Sequence, residues 1–256
     1  EVVFGDVLHC EACYQHDCRF LMFDAQGKLT WRGRHSATVN GNLYPTHAVG
    51  PVAQWMNINR GARFESLVSM STPARGLKRY AAARLGPDHE LARRDYAQGD
   101  LNTTLLKTAN GFTVTLYYNI LSPRPYDLIL RLQGEKGIYL DTTNSICLEQ
   151  PGKGADQWEA FAPYQQKYAH PLWQALAAEA AKTAGHEGAE HLMFHDFLKA
   201  VRAKAPAPQT VYDAAAWSAI VPLSIASVAH GSKPVAFPDF TRGQWKKAPP
   251  FPICGV

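Results

Sequence analysis

The sequence lacks the features that mark several large classes of protein. No uninterrupted apolar run approaches the length of about 18 residues that a membrane-spanning helix needs. The 26 lysines and arginines are spread along the chain rather than gathered with aromatic residues into a basic stripe, which argues against a nucleic-acid partner. No glycine-rich phosphate loop follows a predicted strand, so these residues offer no Rossmann-type site for a dinucleotide. The first residues have neither the basic region nor the cleavage pattern of a signal peptide, and they begin inside a predicted strand. We therefore expect the chain to be cut from a longer protein, and we assign it no localisation.

Cysteine is too sparse and too unevenly spaced for a disulfide framework; the five are Cys10, Cys13, Cys18, Cys147 and Cys254. The first three and His16 are ligand types that zinc prefers, but no second CxxC or HxxxH pair completes a tetrahedral set. His191 and His195 are four residues apart, without the glutamate of an HExxH motif, and we interpret them as part of a solvated helix face. We therefore predict buried structural cysteines and no metal site.

The pattern of apolar residues predicts an α+β domain. Strands are predicted over 1–14, 64–71, 102–108, 113–120, 126–133, 138–141 and 145–149, and helices over 171–183, 189–203 and 212–229. Asn110-Gly111 supplies the positive φ angles of a tight hairpin turn. Residues 31–35 are interpreted as a polar approach to the next motif, and 72–99 as a surface loop with one helical stretch. The predicted sheet is open, largely antiparallel or mixed, with helices on one face.

Residues 41–60 combine a predicted helix start with two titratable rings. The apolar positions Val49, Val52, Ala53 and Met56 predict an amphipathic helix that begins near Thr46. Tyr44 and His47 then lie at the N-terminus of this helix, where the dipole favours a neutral imidazole and stabilises developing negative charge. We predict that chemistry takes place here.

Several motifs resemble one known family. They are GDVLH (5–9), GNLYPTH with GPV and NINRG (41–61), SPRPY (122–126), VYDAAAWS (211–218) and FPDFTRGQW (237–245). They are similar to the C-terminal domain of glycoside hydrolase family 109, in the glucose–fructose oxidoreductase and inositol dehydrogenase superfamily (Gfo/Idh/MocA). The resemblance implies that residues 1–256 form a substrate-binding and oligomerisation domain, and that an N-terminal Rossmann domain holding NAD lies outside this sequence.

The resemblance also implies an activity, α-N-acetylgalactosaminidase, and its site residues. The implied mechanism oxidises C3 of the sugar with NAD, removes the C2 proton, eliminates the C1 substituent, adds water and returns the hydride, so that no carboxylate pair is required. The implied catalytic residues are His47 and Tyr44, with Tyr44 also contacting the cofactor. The implied substrate contacts are Tyr14, Arg32, Tyr44, Pro45, Thr46, His47 and Tyr126.

Two other functions are consistent with the same residues. One is a sugar or cyclitol oxidoreductase of the same superfamily, which would release NADH. The other is a non-catalytic sugar-binding or assembly fragment. The superfamily commonly pairs its open sheets, so a homo-oligomer is expected, with a sugar as the small-molecule partner.

Overall fold

The computed structural model describes residues 3–150, 154–182 and 186–250. Within them the strands are β1 (Val7–Gln15), β2 (Phe64–Ser71), β3 (Asn102–Thr108), β4 (Thr113–Asn119), β5 (Arg131–Gly134), β6 (Gly137–Leu140), β7 (Ser145–Leu148), β8 (Glu159–Ala160) and β9 (Val235–Ala236). The helices are α1 (Trp31–Thr38), α2 (Thr46–Trp55), α3 (Gly76–Leu85), α4 (Glu90–Arg93), α5 (Ala162–Tyr168), α6 (Pro171–Ala180), α7 (Ala189–Arg202) and α8 (Val211–Ala229). The first strand was predicted from residue 1, but β1 begins at Val7, and residues 3–6 are not part of it. Residues 1–2, the predicted helix end at Thr183, and Cys254 lie outside the described residues.

These strands form a mixed sheet of nine, in the order β8-β7-β6-β5-β1-β4-β3-β2-β9. The parallel pair is β1 with β4, whose registers place Tyr14 opposite Tyr118, while the other neighbours are antiparallel. The predicted hairpin at Asn110-Gly111 is confirmed as β3–β4, with Gly111 at φ 88°. Because β1 and β4 run in the same direction, their carboxyl ends meet at one edge of the sheet.

Helices α2 and α8 cover one face of this sheet. Their buried residues, among them Val49, Val52 and Ile220, pack on Leu67 and Leu116 of the strands. The predicted start of α2 at Thr46 is confirmed, with Pro51 inside the helix.

A buried ion pair ties α8 to the chain that follows α2. Arg60 donates two hydrogen bonds to the Asp213 carboxylate, at 2.8 and 2.7 Å. The N-cap of α8 is Thr210, and Asp213 completes a capping box by accepting from the Thr210 backbone N–H. The NINRG motif is therefore anchored to the start of α8.

The structure corrects two predictions in the first hundred residues. Residues 31–35 are not an irregular approach but the first part of α1, and 72–99 holds two helices, α3 and α4, rather than one. Both corrections have the same cause. The buried residues of these short helices, such as Ala37, Leu77 and Leu91, pack into a second core at the carboxyl edge of β4, and this tertiary packing outweighs a weak local pattern.

The predicted strand over 126–133 is only partly confirmed, because regular pairing begins at Arg131. Before it, Asp127 forms an isolated bridge with Gln15, and its carboxylate accepts from the backbone N–H of Ile129. Ile129 has a φ of 43°, which a continuous strand does not allow. The bend leaves Tyr126 free to turn toward the end of β1.

Helix α8 corrects the expectation about apolar length. It has 19 residues with a mean hydropathy of 1.4, which is long and apolar enough to cross a membrane by length and composition alone. A single helix of this kind is weak evidence for a membrane span. Helix α8 lies on the sheet, where Ser227 donates to the backbone of Lys233 and accepts from the Ser69 N–H.

The other face of the sheet has no helix on it among the described residues. It exposes apolar side chains on two adjacent strands, Met70 on β2 and Leu105 on β3. Association of two copies through this face stays a prediction.

Candidate functional site

The N-terminus of α2 fixes three of the candidate residues. The buried Pro45 is the N-cap, and its carbonyl accepts from the backbone N–H groups of Ala48 and Val49 at 3.1 and 2.8 Å. Thr46 is exposed in the first helical position, and His47 follows it half-buried. Tyr44 precedes the cap, and its side chain is partly exposed. The YPTH sequence thus places a phenol and an imidazole side by side at a helix start.

Four rings from three separate segments meet at this point. The Tyr14 ring, near the end of β1, lies 4.7 Å from Tyr44, 5.1 Å from His47 and 6.1 Å from Tyr126, measured between centroids. The Tyr44 and His47 centroids are 4.9 Å apart. The parallel pairing of β1 with β4 explains the arrangement, because Tyr14 ends one strand and Tyr126 follows the other at the same edge of the sheet. We call these four residues the ring cluster.

Arg32 reaches the same place from α1. It lines a cavity of about 130 Å³ together with Tyr14 and Tyr44. Within the described part of the chain its guanidinium makes no hydrogen bond or ion pair, and it lies 4.3 Å from the Trp31 ring. Its donors are therefore available to a ligand.

Burial sets the protonation of the cluster. It lowers the pKa of His47 below the usual 6.5, and positive charge on His186 lowers it further. Burial also raises the pKa of Tyr14, with a smaller opposing effect from Arg32. At neutral pH the imidazole is uncharged and the phenol keeps its proton, so the cluster combines a proton acceptor with hydroxyl donors.

All of the predicted site residues therefore lie together, although their roles stay predictions. The sequence did not single out Gln98 and Tyr118, which share the Arg32 cavity. Gln98 sits in a polar loop with no motif around it, so the sequence carries no signal for it.

The cysteines and histidines that the structure describes make separate contacts rather than forming one cluster. Cys10 is buried in the core, which raises its thiol pKa to about 12, whereas Cys13 donates to the backbone of Asp127 and Cys18 contacts His16. His186 pairs with Glu190, and His191 faces Glu179. Among the residues that the structure describes, no three metal-ligating side chains form a cluster.

Comparison with known proteins decides the family. The profile described as "Glycosyl hydrolase 109, C-terminal domain" matches residues 1–247. This chain belongs to glycosyl hydrolase family 109.

Two family relatives show how much of the protein this chain represents. It is 44% identical over 254 residues to a "Glycosyl hydrolase family 109 protein" of Shewanella amazonensis, covering 98% of the chain and 56% of the relative. It is 42% identical over 263 residues to an "Alpha-N-acetylgalactosaminidase" of Tannerella forsythia, covering 96% of the chain and again 56% of the relative. The family 109 chain thus spans little more than half of their length.

Solved structures confirm the fold class. "Levoglucosan dehydrogenase, complex with NADH and levoglucosan" is similar with a TM-score of 0.60 at 17% identity, over 93% of this chain and 61% of the other. An "NAD binding oxidoreductase from Klebsiella pneumoniae" gives a TM-score of 0.64 at 10% identity, over 93% of this chain and 60% of the other. At such low identity the similarity concerns the fold alone: an α+β domain built on an open mixed sheet.

Proposed function

We propose that this chain is the sugar-binding part of an NAD-dependent α-N-acetylgalactosaminidase whose Rossmann domain lies outside these 256 residues. The observation that carries the proposal is the ring cluster, in which Tyr44 and His47 stand at the start of α2 against Tyr14 and Tyr126. Membership of family 109 and the name of the Tannerella forsythia relative support the activity and the sugar.

The residues of the ring cluster suit the nicotinamide end of NAD but not its diphosphate. Tyr44 and Tyr126 are about half exposed, and their hydroxyls make no hydrogen bond within the described residues, so flat faces and donors are available to a nicotinamide and a sugar. No described strand is followed by a glycine-rich loop that would hold the diphosphate. When bound, NAD supplies reversible removal of hydride from C3 of the sugar.

The chain's own residues handle protons and charge. A neutral His47 takes the proton from the sugar hydroxyl at C3 and returns it at the end of the cycle. Negative charge grows on that oxygen when a base outside this chain takes the C2 proton. The charge is discharged when the C1–O bond breaks, because the electron pair leaves with the departing oxygen, which then takes up a proton. The Tyr44 hydroxyl donates to the oxygen at C3, and the positive end of α2 stabilises it as well. Tyr126 stacks on the sugar, and Arg32 binds a substituent of the ring.

The proposal is tested with the full-length protein, NAD and an aryl α-N-acetylgalactosaminide. We expect release of the aryl group without accumulation of NADH, because the hydride returns to the sugar. His47→Gln is expected to lower kcat/KM by about 100- to 10,000-fold, and the 256-residue chain alone is expected to be inactive. Stoichiometric NADH would instead indicate an oxidoreductase, and full activity of the variant would contradict the role of His47.

A further inference from the structure

A small cavity lies on the Arg32 side of the ring cluster. Its volume is about 130 Å³, and its lining includes Tyr14, Arg32, Leu43, Tyr44, Gln98 and Tyr118. Since Tyr14 and Tyr44 belong both to this cavity and to the ring cluster, a sugar held on the cluster lies next to the cavity.

Gln98 lines this cavity with a buried side-chain amide that has no hydrogen-bond partner of normal geometry among the described residues. Its side chain is almost completely buried, with an exposed fraction of 1%, and neither Nε2 nor Oε1 makes a hydrogen bond of normal geometry to any described residue. The Tyr118 hydroxyl is close enough to influence the amide, but one hydroxyl can satisfy only one of the two amide atoms. At least one buried polar atom is therefore left for something that enters the cavity.

The position of Gln98 is fixed by the helix that carries Arg32. The backbone N–H of Gln98 donates to the Ser36 carbonyl at 3.0 Å, and that of Ala97 donates to the Ala37 carbonyl at 3.3 Å. Both acceptors are in α1. The amide and the guanidinium therefore belong to one rigid unit, which is what a specific binding pocket requires.

The chemistry of the pocket matches a secondary amide. The Gln98 side chain can pair with one polar group of a secondary amide, because Oε1 can accept from its N–H or Nε2 can donate to its C=O. Arg32 adds donors for the carbonyl oxygen, and Leu43 and Ile120 provide an apolar wall for a methyl group. A protein cavity of about 150 Å³ holds benzene, so 130 Å³ is sufficient for the four non-hydrogen atoms of an acetamido group.

We infer that Gln98 binds the acetamido group at C2 of the sugar in this cavity and thereby makes the enzyme prefer 2-acetamido sugars over 2-hydroxy sugars. The inference rests on the proposed function, since it takes the ring cluster to be the sugar site. It assigns the selection of the substituent to a residue on the loop between α4 and β3, outside the motifs that resemble family 109.

The test compares the binding of N-acetylgalactosamine and galactose to the full-length protein with NAD, by calorimetry. Gln98→Leu removes both polar atoms with little change in size. We expect this substitution to weaken the binding of N-acetylgalactosamine by about 10- to 100-fold, as for one or two lost hydrogen bonds. The binding of galactose should weaken by less than about 3-fold. Gln98→Glu keeps the shape and the acceptor but loses the donor. Its affinity for N-acetylgalactosamine is expected to lie between those of the wild type and Gln98→Leu. This variant keeps the test decisive if the leucine variant does not fold.

Asn42→Ala is the matched control. Asn42 is another buried amide whose side-chain atoms have no partner among the described residues, but it does not line the cavity. We expect its substitution to leave the ratio of the two affinities unchanged.

Three results would overturn the inference. Gln98→Leu could lower the affinity for both sugars equally, or it could leave both affinities unchanged, as expected for a cavity that holds only water. The wild type could also bind the acetamido sugar no more tightly than galactose. These results are distinct from failure of the proposed function, which is absence of aryl release from the wild-type enzyme. A wild-type protein that prefers N-acetylgalactosamine through Gln98 but cleaves nothing would support the inference and contradict the activity.

Discussion

The surroundings of His47 determine the protonation state of its imidazole. It was predicted to be neutral because of the helix dipole, and the structure adds a second cause, partial burial beside the Tyr14 ring. The positive charge of His186 acts in the same direction. The pKa of His47 therefore lies below that of a free imidazole, and the residue can accept a proton across the neutral range.

The titration of His47 can be followed by NMR of the imidazole protons, with His47→Gln used to assign the signal. We expect a pKa below 6.5, and a rise toward 6.5 in His186→Gln that stops short of it, because burial is the larger cause. Below about pH 6.5 the unfolded chain binds a proton at His47 that the folded protein does not, so this residue lowers the free energy of unfolding as the pH falls through that window. A pKa at or above 6.5 in the wild type would contradict the account.

The site residues differ in how far the sequence reveals them. Tyr44 and His47 stand in a long motif before a periodic helix, and Tyr126 follows a proline-rich break, so their neighbourhood marks them. Gln98 is different: what makes it a candidate is burial beside Arg32 without a hydrogen-bond partner among the described residues, and this is a property of the folded chain.

At the scale of elements, α1 is the clearest case of a helix that the sequence hides. Its sequence, WRGRHSAT, contains a glycine and no apolar stripe, yet Thr30 caps it by accepting from the Gly33 N–H at 3.2 Å. The Thr30 hydroxyl in turn donates to the Leu21 carbonyl at 2.6 Å. Contacts with the preceding loop, rather than helix propensity, hold the element that presents Arg32.

Gly33 tests this explanation directly. A Cβ at this position would overlap the Met22 carbonyl oxygen, whereas a Cβ at Gly50 in α2 would make an ordinary contact with Trp217 at 3.7 Å. We expect Gly33→Ala to destabilise the protein by about 1–3 kcal/mol and to weaken sugar binding through displacement of Arg32. Gly50→Ala should be neutral or stabilising by up to about 1 kcal/mol, since alanine is the better helix former. Denaturant unfolding of the two variants decides the matter; equal stability would mean that α1 is not held in this way.

At the scale of the molecule, the sheet order explains why residues far apart in sequence share one site. Local patterns predict the β3–β4 hairpin and the β5–β6–β7 meander, since each depends on a turn between neighbouring strands. The parallel pairing of β1 with β4 joins segments about a hundred residues apart, and no local pattern reveals it. That pairing brings Tyr14 to Tyr126 and so forms the ring cluster.

The central claim is that the complete enzyme cleaves its glycoside by oxidation and elimination, with the ring cluster of this chain acting on C3 and C2 of the sugar. The most direct measurement is hydrolysis of an aryl α-N-acetylgalactosaminide by the full-length protein in D₂O, followed by NMR of the released sugar. Removal and return of the C2 proton predicts deuterium at C2. Release of a sugar that carries only protium at C2 would contradict the account.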